Sequence, residues 1–426
     1  MSTHAIANPT LAEATLAPTS MWRKIPLGAV VVGLAFIALA FVFGDSKMES
    51  PEGPVASHTQ FFYSYITSFM FWLSIALGSL FFVLIHHGTR AGWSTIVRRI
   101  AENWMMTLVV LAVLVVPVML GIRDTYEWSH RLDGQDMMLD RKAPYLDVTF
   151  FIIRGIVCFA CWVGFAVAMY RWSTRQDVTG DIQLTHKMRR WAPLGFILFA
   201  ITLTIGSIDW MMTLQPHWYS TIFGVYYFAG CLMVSGAVFA LSSMALQKSG
   251  KLEKEISIEH LHDLGKWSFA FLVFWSYIAV AQLLLIWYAN IPEETVFYHN
   301  RVEGGWDKVS VVLALFHFVI PFWFMMSRHI KRRKVTLAIS AIILIAAQYI
   351  DMFWLVQPNL APMLAPAEGA EAVHHASHFA VHLSDLFAFL GIGGVVVGAY
   401  AWFTTRSAVA AVRDPRMAES LGFENQ

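Results

Sequence analysis

The sequence predicts an all-α, polytopic membrane protein of about ten transmembrane helices, with both ends in the cytoplasm. Three observations predict this fold class. The composition is strongly apolar, apolar runs of membrane-spanning length recur along the chain, and Lys and Arg collect in every second loop. Apolar residues make up 57% of the 426 positions and charged residues only 14%, whereas a soluble domain carries about 25% charged residues. Most of the surface is therefore expected to face lipid.

The apolar runs define the predicted helices. A helix needs about 20 apolar residues to cross a bilayer, and lipid tolerates no unpaired backbone groups, which excludes open strands. Ten runs qualify, and they cover residues 25–43, 60–85, 104–122, 148–170, 192–213, 218–246, 265–289, 309–327, 335–356 and 379–404. Basic residues precede the first run, but it is long and no small-residue cleavage site follows, which favours an uncleaved helix over a signal peptide.

The basic residues predict the orientation. With the N-terminus inside, the inner segments hold 22 of the Lys and Arg residues and the outer loops hold 7. Cytoplasmic loops of membrane proteins carry such an excess. The bias holds at every loop, so it supports both the number of helices and the placement of both ends in the cytoplasm. Arg154 lies inside a predicted helix.

An internal repeat joins predicted helices 2–5 to predicted helices 6–9. Gln215-Pro216 follows Ile208-Asp209, and Gln357-Pro358 follows Ile350-Asp351 at the same spacing. Four helices are an even number, so the two units are expected to be parallel. The predicted organisation is a cytoplasmic tail (1–24), a first helix and outer loop (25–59), a first four-helix bundle (60–215), a second (216–358), an outer loop and last helix (359–405), and a cytoplasmic tail (406–426).

Ionisable residues at membrane depth are candidates for function, because burying a charge in lipid is costly. Asp209 and Asp351 occupy equivalent positions near the outer ends of helices 5 and 9. Each is interpreted either as a proton-relay carboxylate or as an interfacial carboxylate bonded to Trp210 or to loop backbone. His317, in the middle of helix 8, is either a relay group or a histidine hydrogen-bonded across the bundle. Arg154 either partners Asp209 or a loop carboxylate, or extends to the outer interface.

The remaining candidates are weaker. His374, His378 and His382 would share one face of a helix that could hold zinc, but an interfacial polar stretch is the favoured interpretation. Asp385 follows them and could join a proton path. The three cysteines lie in apolar runs and are interpreted as small buried residues. The sequence therefore predicts no metal site, and no nucleotide-binding or nucleic-acid-binding pattern stands out.

Three stretches of mixed aromatic and polar residues carry a resemblance to a known family. They are 207–226, with Ser207-Ile208-Asp209-Trp210 and Gln215-Pro216-His217-Trp218; 274–294, with Phe274-Trp275-Ser276-Tyr277, Gln282 and Ile286-Trp287-Tyr288; and 126–154, with Tyr126, Trp128, His130, Lys142, Tyr145, Asp147 and Arg154. With these stretches the chain resembles the F-type membrane subunit of bacterial alternative complex III, a quinol:cytochrome c oxidoreductase. That subunit belongs to the polysulfide-reductase-like (NrfD-like) family.

The resemblance implies two four-helix bundles with flanking helices, in the bacterial inner (cytoplasmic) membrane. It implies as partners a sister NrfD-like membrane subunit, an iron–sulfur protein subunit, c-type haem subunits and small membrane subunits, with a terminal oxidase as a further partner. Haem c and iron–sulfur clusters are expected in those partners and no cofactor in this chain, while menaquinone is the expected quinone. Because the sister subunit binds quinol near the outer face, Asp209, Arg154 and His130 become candidates for a quinone site here.

Three functional hypotheses stay open at this point. The first is a structural, proton-conducting subunit whose path uses Asp209, His317 and Asp351, with Arg154 and Asp385 as further members. The second is a subunit that itself binds and oxidises quinol. The third is an independent transporter, since parallel repeats also occur in transporters, although the two halves show no matching Gly- or Pro-broken helices.

Overall fold

The computed structural model describes residues 8–48, 55–130, 134, 136–360 and 378–424. The chain is an all-α polytopic membrane protein, as predicted. Within the described residues, ten helices are long and apolar enough to cross a membrane. In chain order, α1 to α10 are Ile25–Val42, Thr59–Gly88, Thr95–Leu120, Val148–Thr179, Ile182–Leu214, Phe223–Lys248, Ile258–Ala289, Trp306–Met326, Lys334–Asn359 and Leu383–Arg406.

Short elements connect the spanning helices. Two three-residue strands, β1 (Ser46–Met48) and β2 (Val55–Ser57), pair in antiparallel register between α1 and α2, and this small hairpin was not predicted. The other short helices lie in the loops and the terminal segments. They are Met21–Arg23, Ile122–Thr125, Glu127–His130, Met137–Lys142, Pro292–His299, Arg328–Lys331 and Met417–Leu421.

Several predicted helix ends are wrong, and charge explains most of the differences. α3, α5 and α7 begin at Thr95, Ile182 and Ile258 instead of at 104, 192 and 265. The added turns carry charged residues, which end an apolar run but not a helix. The last helix was predicted from 379, but residues 378–382 are non-helical and α10 begins at Leu383.

Helices α2 and α6 form the centre of the bundle. Most of their residues are buried, and they pack on each other so closely that a Cβ on Gly78 would lie 2.1 Å from the carbonyl oxygen of Cys231. α2 packs on α3, α5 and α9, while α6 packs on α7, α9 and α5. α4 packs on α5 as α8 packs on α9. α2 and α6 therefore have equivalent neighbours, and the repeat of two four-helix units stays a prediction.

Two spanning helices are irregular, and a proline follows each irregularity. α3 consists of the segments Thr95–Met105, Leu108–Leu114 and Val116–Leu120, and Pro117 stands at the start of the third segment. In α8, residues Ala314–Val319 form a π-helical segment and Pro321 follows directly. A proline has no N–H to donate to the carbonyl four residues earlier, which for Pro321 is that of His317. The widened turn in α8 therefore has a local cause.

The two ends of the chain meet on one face of the bundle. The N–H of Val409, beyond α10, donates to the carbonyl of Ala14 at 2.8 Å. Many of the basic residues that were assigned to the inner segments lie at this end of the helices, so the chain has one basic face. The positive-inside rule predicts that this face is the cytoplasmic one.

α1 is held almost entirely by α10. Only Gly33 and Ala40 of α1 are buried, and a Cβ on Gly33 would lie 2.7 Å from both the Gly391 carbonyl oxygen and the Val395 nitrogen. Small residues let membrane helices approach closely and gain van der Waals contact. The attachment of α1 therefore depends on Gly33.

We expect Gly33→Ala to destabilise the protein by about 1–3 kcal/mol, because the added methyl group forces the two backbones apart. A thermal unfolding curve in mild detergent measures this cost. Gly28→Ala on the same helix is the matched control, since its Cβ would meet nothing within 4 Å and Ala favours the helix. Equal stability of the two variants would show that the close contact is unimportant.

Candidate functional site

Asp209 forms a buried ion pair with Arg154 near the outer ends of α5 and α4. Arg154 donates from Nε to Oδ2 at 2.7 Å and from Nη2 to Oδ1 at 3.0 Å. The hydroxyl of Tyr145 donates to Oδ1 at 2.8 Å. The predicted partnership of Arg154 with Asp209 is therefore present. Neither Trp210 nor loop backbone binds the carboxylate, and Arg154 does not extend to the interface.

Aromatic side chains pack against the guanidinium of this pair. The guanidinium of Arg154 lies 3.9 Å from the ring centre of Tyr145 and 4.4 Å from that of Phe150, and its Nη1 donates to the Tyr145 carbonyl at 2.9 Å. Burial, followed by the charge of Asp209, raises the pKa of Tyr145, so this phenol keeps its proton and remains a donor. A carboxylate held by a two-point arginine contact is stabilised as the anion.

Asp351, the equivalent residue of α9, has neutral partners instead. The hydroxyl of Tyr226 donates to its Oδ1 at 2.5 Å, and the indole N–H of Trp275 donates to its Oδ2 at 3.2 Å. The residue is 1% exposed. Among the described residues no Lys, Arg or His lies within ion-pair distance of it. The charged form of a buried carboxyl group with only neutral donors is costly in free energy. Such an environment suits a group that gains and loses a proton.

His317 lies beside this group on the π-helical segment of α8. Its ring stacks on Trp275 with ring centres 3.8 Å apart. It is fully buried, and within the described part of the chain neither ring nitrogen has a hydrogen-bond partner. The alternative interpretation, a histidine hydrogen-bonded across the bundle, is therefore wrong. Trp275 contacts both the imidazole and the carboxyl group, so it connects the two titratable side chains.

An apolar cavity of about 310 Å³ adjoins Asp351 between α6, α7, α8 and the outer loop. Tyr226 and Trp275, the two donors to Asp351, form part of its wall. Five more polar side chains line it, namely Ser276, Gln282, Tyr298, Arg301 and Ser310. A mostly apolar cavity with a few placed polar groups is typical of a small-molecule site.

Arg301 was assigned to an outer loop, yet it is 1% exposed. Its guanidinium donates to the carbonyls of Phe297, Trp354 and Leu355 at 2.7, 3.1 and 2.9 Å. Burial lowers the pKa of Arg301, while nearby groups that include Asp351 act in the opposite direction. No local pattern indicates this burial, because a single arginine between two predicted helices is typical of a solvated loop.

Asp385 lies at the outer end of α10 with neutral donors around it. It accepts from the hydroxyl of Ser64 at 2.6 Å, from the amide of Gln357 at 3.1 Å and from the backbone N–H of His382 at 2.8 Å. His382 and Asp385 form a capping box at the start of α10. This carboxylate therefore has a clear structural role as a helix cap.

The other histidine candidates do not join these groups. His130 is exposed, and its Nε2 contacts the carbonyl of Arg123 in its own loop at 2.5 Å. The alternative in which histidines share a helical face is wrong for the described members, since His378 and His382 precede α10. His374 and His375 lie outside the described residues. Among the residues that the structure describes, no group of three or more potential ligands could hold a metal ion.

A buried charge cluster at the cytoplasmic end of the bundle was missed by the sequence analysis. Arg98 and Arg99 both contact Glu102, at 3.3 and 2.8 Å. Arg98 also pairs with Asp414 of the C-terminal segment at 2.6 Å, and Arg99 pairs with Asp177 of α4 at 2.7 Å. All five residues are at most 6% exposed. We call these five residues the inner cluster.

The signal for the inner cluster was present in the sequence. Glu102 stands four residues after Arg98 and three after Arg99, which is the spacing of helical ion pairs. The two arginines were instead counted as solvated cytoplasmic charges. Burial would raise the pKa of Asp414, but the charge of Arg98 and hydrogen bonds from Arg416 and Arg98 hold it below the ordinary value.

No protein-family model matches this chain, and no curated protein matches it. The geometry of these buried groups is therefore the basis for a functional proposal.

We expect Arg154→Met to destabilise the protein by about 3–5 kcal/mol, because it leaves the carboxylate of Asp209 buried and unpaired. The double variant Arg154→Met/Asp209→Asn should recover part of that loss. Unfolding in mild detergent measures both values. Arg123→Met, which changes an exposed outer arginine, is the control and should be near neutral. No recovery in the double variant would mean that Arg154 acts through packing alone.

We expect Asp414→Asn to loosen the C-terminal segment, because Arg98 then keeps only Glu102 as a partner. Trypsin added to inside-out vesicles should cleave after Arg413 and Arg416 at least about tenfold faster. Glu424→Gln, at the exposed end of the same segment, is the control. Cleavage at an unchanged rate would show that the ion pair does not hold the segment.

The same contact should respond to acid. The pKa of Asp414 lies below its ordinary value in the folded protein, so its stabilising effect is complete above the unfolded pKa of about 3.9. The effect is lost as the pH falls through the folded value. A spin label on Gly422→Cys should therefore stay immobile at neutral pH and become mobile only below about pH 4. Mobility that sets in near neutral pH would contradict this assignment.

Proposed function

We propose that this chain is the F-type integral membrane subunit of a bacterial quinol:cytochrome c oxidoreductase, and that it gives this complex a proton pathway. The single observation that carries the pathway is the environment of Asp351. This carboxyl group is buried at membrane depth and is held only by Tyr226 and Trp275, both neutral. Ionisable groups in such positions are typical of proton relays.

His317 supports a relay at this position. Its imidazole is fully buried with both nitrogens unpartnered among the described residues, and it packs on Trp275, which donates to Asp351. Water between the imidazole and Asp351 would carry the proton. Tyr226, which bonds the carboxyl group, lines the cavity. A proton that enters the cavity could therefore reach Asp351 through the phenol of Tyr226.

Polar side chains continue inward from Asp351. Gln348 lies one turn below it on α9, is fully buried, and has no hydrogen-bond partner among the described residues for either amide atom. Gly230 of α6 leaves room for this amide, since a Cβ there would lie 2.7 Å from its Oε1. Water bound by Gln348 would extend the path toward the cytoplasm.

The inner end of the path is the inner cluster. His87, at the inner end of α2, is buried and interacts electrostatically with Asp414. Three carboxylates face two arginines in this cluster, so it carries one excess negative charge. The charge of Asp414 favours a proton on His87, while burial and the charge of Arg98 oppose it.

Asp209 is assigned a structural role in this proposal. Its two-point contact with Arg154 stabilises the charged form, whereas a relay must also populate the neutral form. The two equivalent aspartates of the repeat would then have separated into an anchor in the first unit and a relay in the second.

The wider context of the proposal rests on the resemblance. The chain would lie in the bacterial cytoplasmic membrane beside a sister NrfD-like subunit, an iron–sulfur subunit and c-type haem subunits. Those partners would hold the haem c and iron–sulfur clusters. The electrons would come from menaquinol and leave through a cytochrome or a terminal oxidase.

The apolar cavity favours a second candidate function, in which this chain binds quinol directly. Its volume of about 310 Å³ and its wall of Trp275, Phe297 and Trp354 suit an aromatic headgroup. Asp351 would then accept the quinol proton by way of Tyr226. The site would lie in the second unit, not at Asp209, Arg154 and His130.

We expect Asp351→Asn to lower quinol-dependent cytochrome c reduction by the purified complex at least about tenfold, since removing a proton-transfer group costs about 10²–10⁴-fold. The KM for quinol should stay unchanged if Asp351 is a relay. Asp351→Glu should retain more activity, because it keeps the carboxyl group. Asp307→Asn, at the exposed start of α8, is the control and should have full activity.

The two candidate functions predict different effects of filling the cavity. Ala279 lines the cavity, and Ala279→Leu would occupy part of it. A quinol site predicts a KM raised at least about tenfold, whereas a proton path predicts an unchanged KM. Full turnover and proton release in both Asp351→Asn and Gln348→Leu would overturn the pathway.

A further inference from the structure

A large groove opens between α1, α3, α4 and α10 at the cytoplasmic end of the bundle. Its volume is about 1380 Å³, which exceeds the about 300–1,000 Å³ of ordinary small-molecule sites. Its inner part is apolar, with Val30 of α1, Val109 of α3, Val167 of α4 and Val395 of α10. The groove is therefore a long apolar channel that faces the hydrocarbon layer.

Three arginines lie at the cytoplasmic end of this groove. Arg23 precedes α1, Arg171 lies in the last part of α4 and Arg406 ends α10. The groove lining contains no Asp or Glu. Among the described residues none of the three forms an ion pair. Arg406 lies over the ring of Trp402, 4.9 Å from its centre.

These three arginines are exposed, unlike the arginines inside the bundle, and Arg23 also donates to the carbonyl of Leu16 at 3.4 Å. Arg98, Arg99 and Arg154 have carboxylate partners, and Arg301 has carbonyl partners. Three arginines at one end of a groove that has no acidic lining residue place positive charge there, which favours an anion. The groove thus combines an uncompensated positive end with an apolar channel.

We propose that this groove binds one anionic phospholipid of the cytoplasmic leaflet, with its phosphate between Arg23, Arg171 and Arg406 and its acyl chains along the channel. The match is one of charge and polarity, since an anionic headgroup meets the arginines and hydrocarbon meets the valines. Basic pockets between membrane helices on the cytoplasmic side bind such headgroups. Trp402, 43% exposed, lies at the depth where indole rings favour the interface.

The lipid would also join parts of the fold that are weakly connected. α1 touches little besides α10, and Arg171 belongs to α4 in the first four-helix unit. A lipid that contacts all three helices would fix α1 and α10 against that unit. The proposal does not depend on the function of the complex.

The test uses the full chain purified in mild detergent together with any partners it retains. Phosphatidylglycerol and phosphatidylcholine with the same acyl chains are added separately, and bound lipid is counted by native mass spectrometry. We expect phosphatidylglycerol to bind at least about tenfold more tightly. Inorganic phosphate should not displace it, because the acyl chains contribute to binding. Equal binding of the two lipids, or full displacement by phosphate, would overturn the proposal.

Matched variants locate the site. Arg23→Gln and Arg171→Gln should each weaken phosphatidylglycerol binding about fivefold, while phosphatidylcholine binding stays unchanged. Lys24→Gln and Arg175→Gln change the neighbouring exposed basic residues, which do not line the groove, and should have no effect. Losses of the same size in the control variants would mean that only the overall positive charge matters.

A crosslinking measurement covers the case in which a variant does not fold. Phosphatidylglycerol with a photoreactive acyl chain, added to the unchanged protein, should label peptides of α1, α3, α4 and α10. Labelling confined to other helices, or a helix of a partner subunit crosslinked along this groove instead, would overturn the proposal.

Discussion

The rest of the structure depends on one constraint, which is that a charge inside a lipid-facing bundle must find its partners within the protein. Three buried arginines meet this constraint in different ways. Arg154 pairs with one carboxylate, Arg99 pairs with two carboxylates, and Arg301 donates to three carbonyl groups. Each solution ties together elements that apolar contact alone would leave free to slide. Arg154 fixes α4 to α5, Arg99 fixes α3 to α4, and Arg301 fixes the outer loop to the end of α9. The polar contacts thus set the register of the helices, while the apolar surfaces set only their association.

Asp351 and His317 depart from this pattern, and their position explains how they can. Both lie beside Trp275, next to a cavity, on helices whose packing is completed by other residues. The π-helical turn at His317 follows from Pro321, so the backbone around the imidazole is widened for a covalent reason and not by strain from packing. Irregular turns of this kind are frequent at functional sites. A carboxyl group without a cation is a poor structural element, which is why the functional interpretation rests on Asp351 and not on the better-bonded Asp209.

The sequence predicts the helix count, because ten apolar runs and the alternation of basic loops are independent signals that agree. It also names Asp209 as one possible partner of Arg154, beside a loop carboxylate and the outer interface, since few carboxylates exist at that depth. It fails at Arg98, Arg99 and Arg301, because the rule that assigns basic residues to loops cannot separate a solvated arginine from a buried one. It fails at the start of α10 for the opposite reason, since residues 379–382 are apolar enough to extend a run but adopt no helix. The cavity and the stacking of His317 on Trp275 depend on tertiary contacts that no local pattern encodes.

The basic residues of the cytoplasmic face therefore fall into three physical classes. Some are exposed and do not line the groove, as Arg175 is; some are neutralised inside the protein, as Arg98 is; and some line the groove with no acidic side chain beside them, as Arg23, Arg171 and Arg406 do. Under the lipid proposal, the third class binds an anion from outside the chain. The distinction matters for the proton path as well, because the inner cluster is shielded from solvent by the C-terminal segment that Asp414 anchors. Binding of an anionic lipid a short distance away on α4 and α10 would add negative charge on the same side of the membrane and leave the internal pairing intact. One excess of positive charge on this face then explains three features. It predicts the orientation, it anchors the C-terminal segment, and it supplies the arginines of the lipid groove.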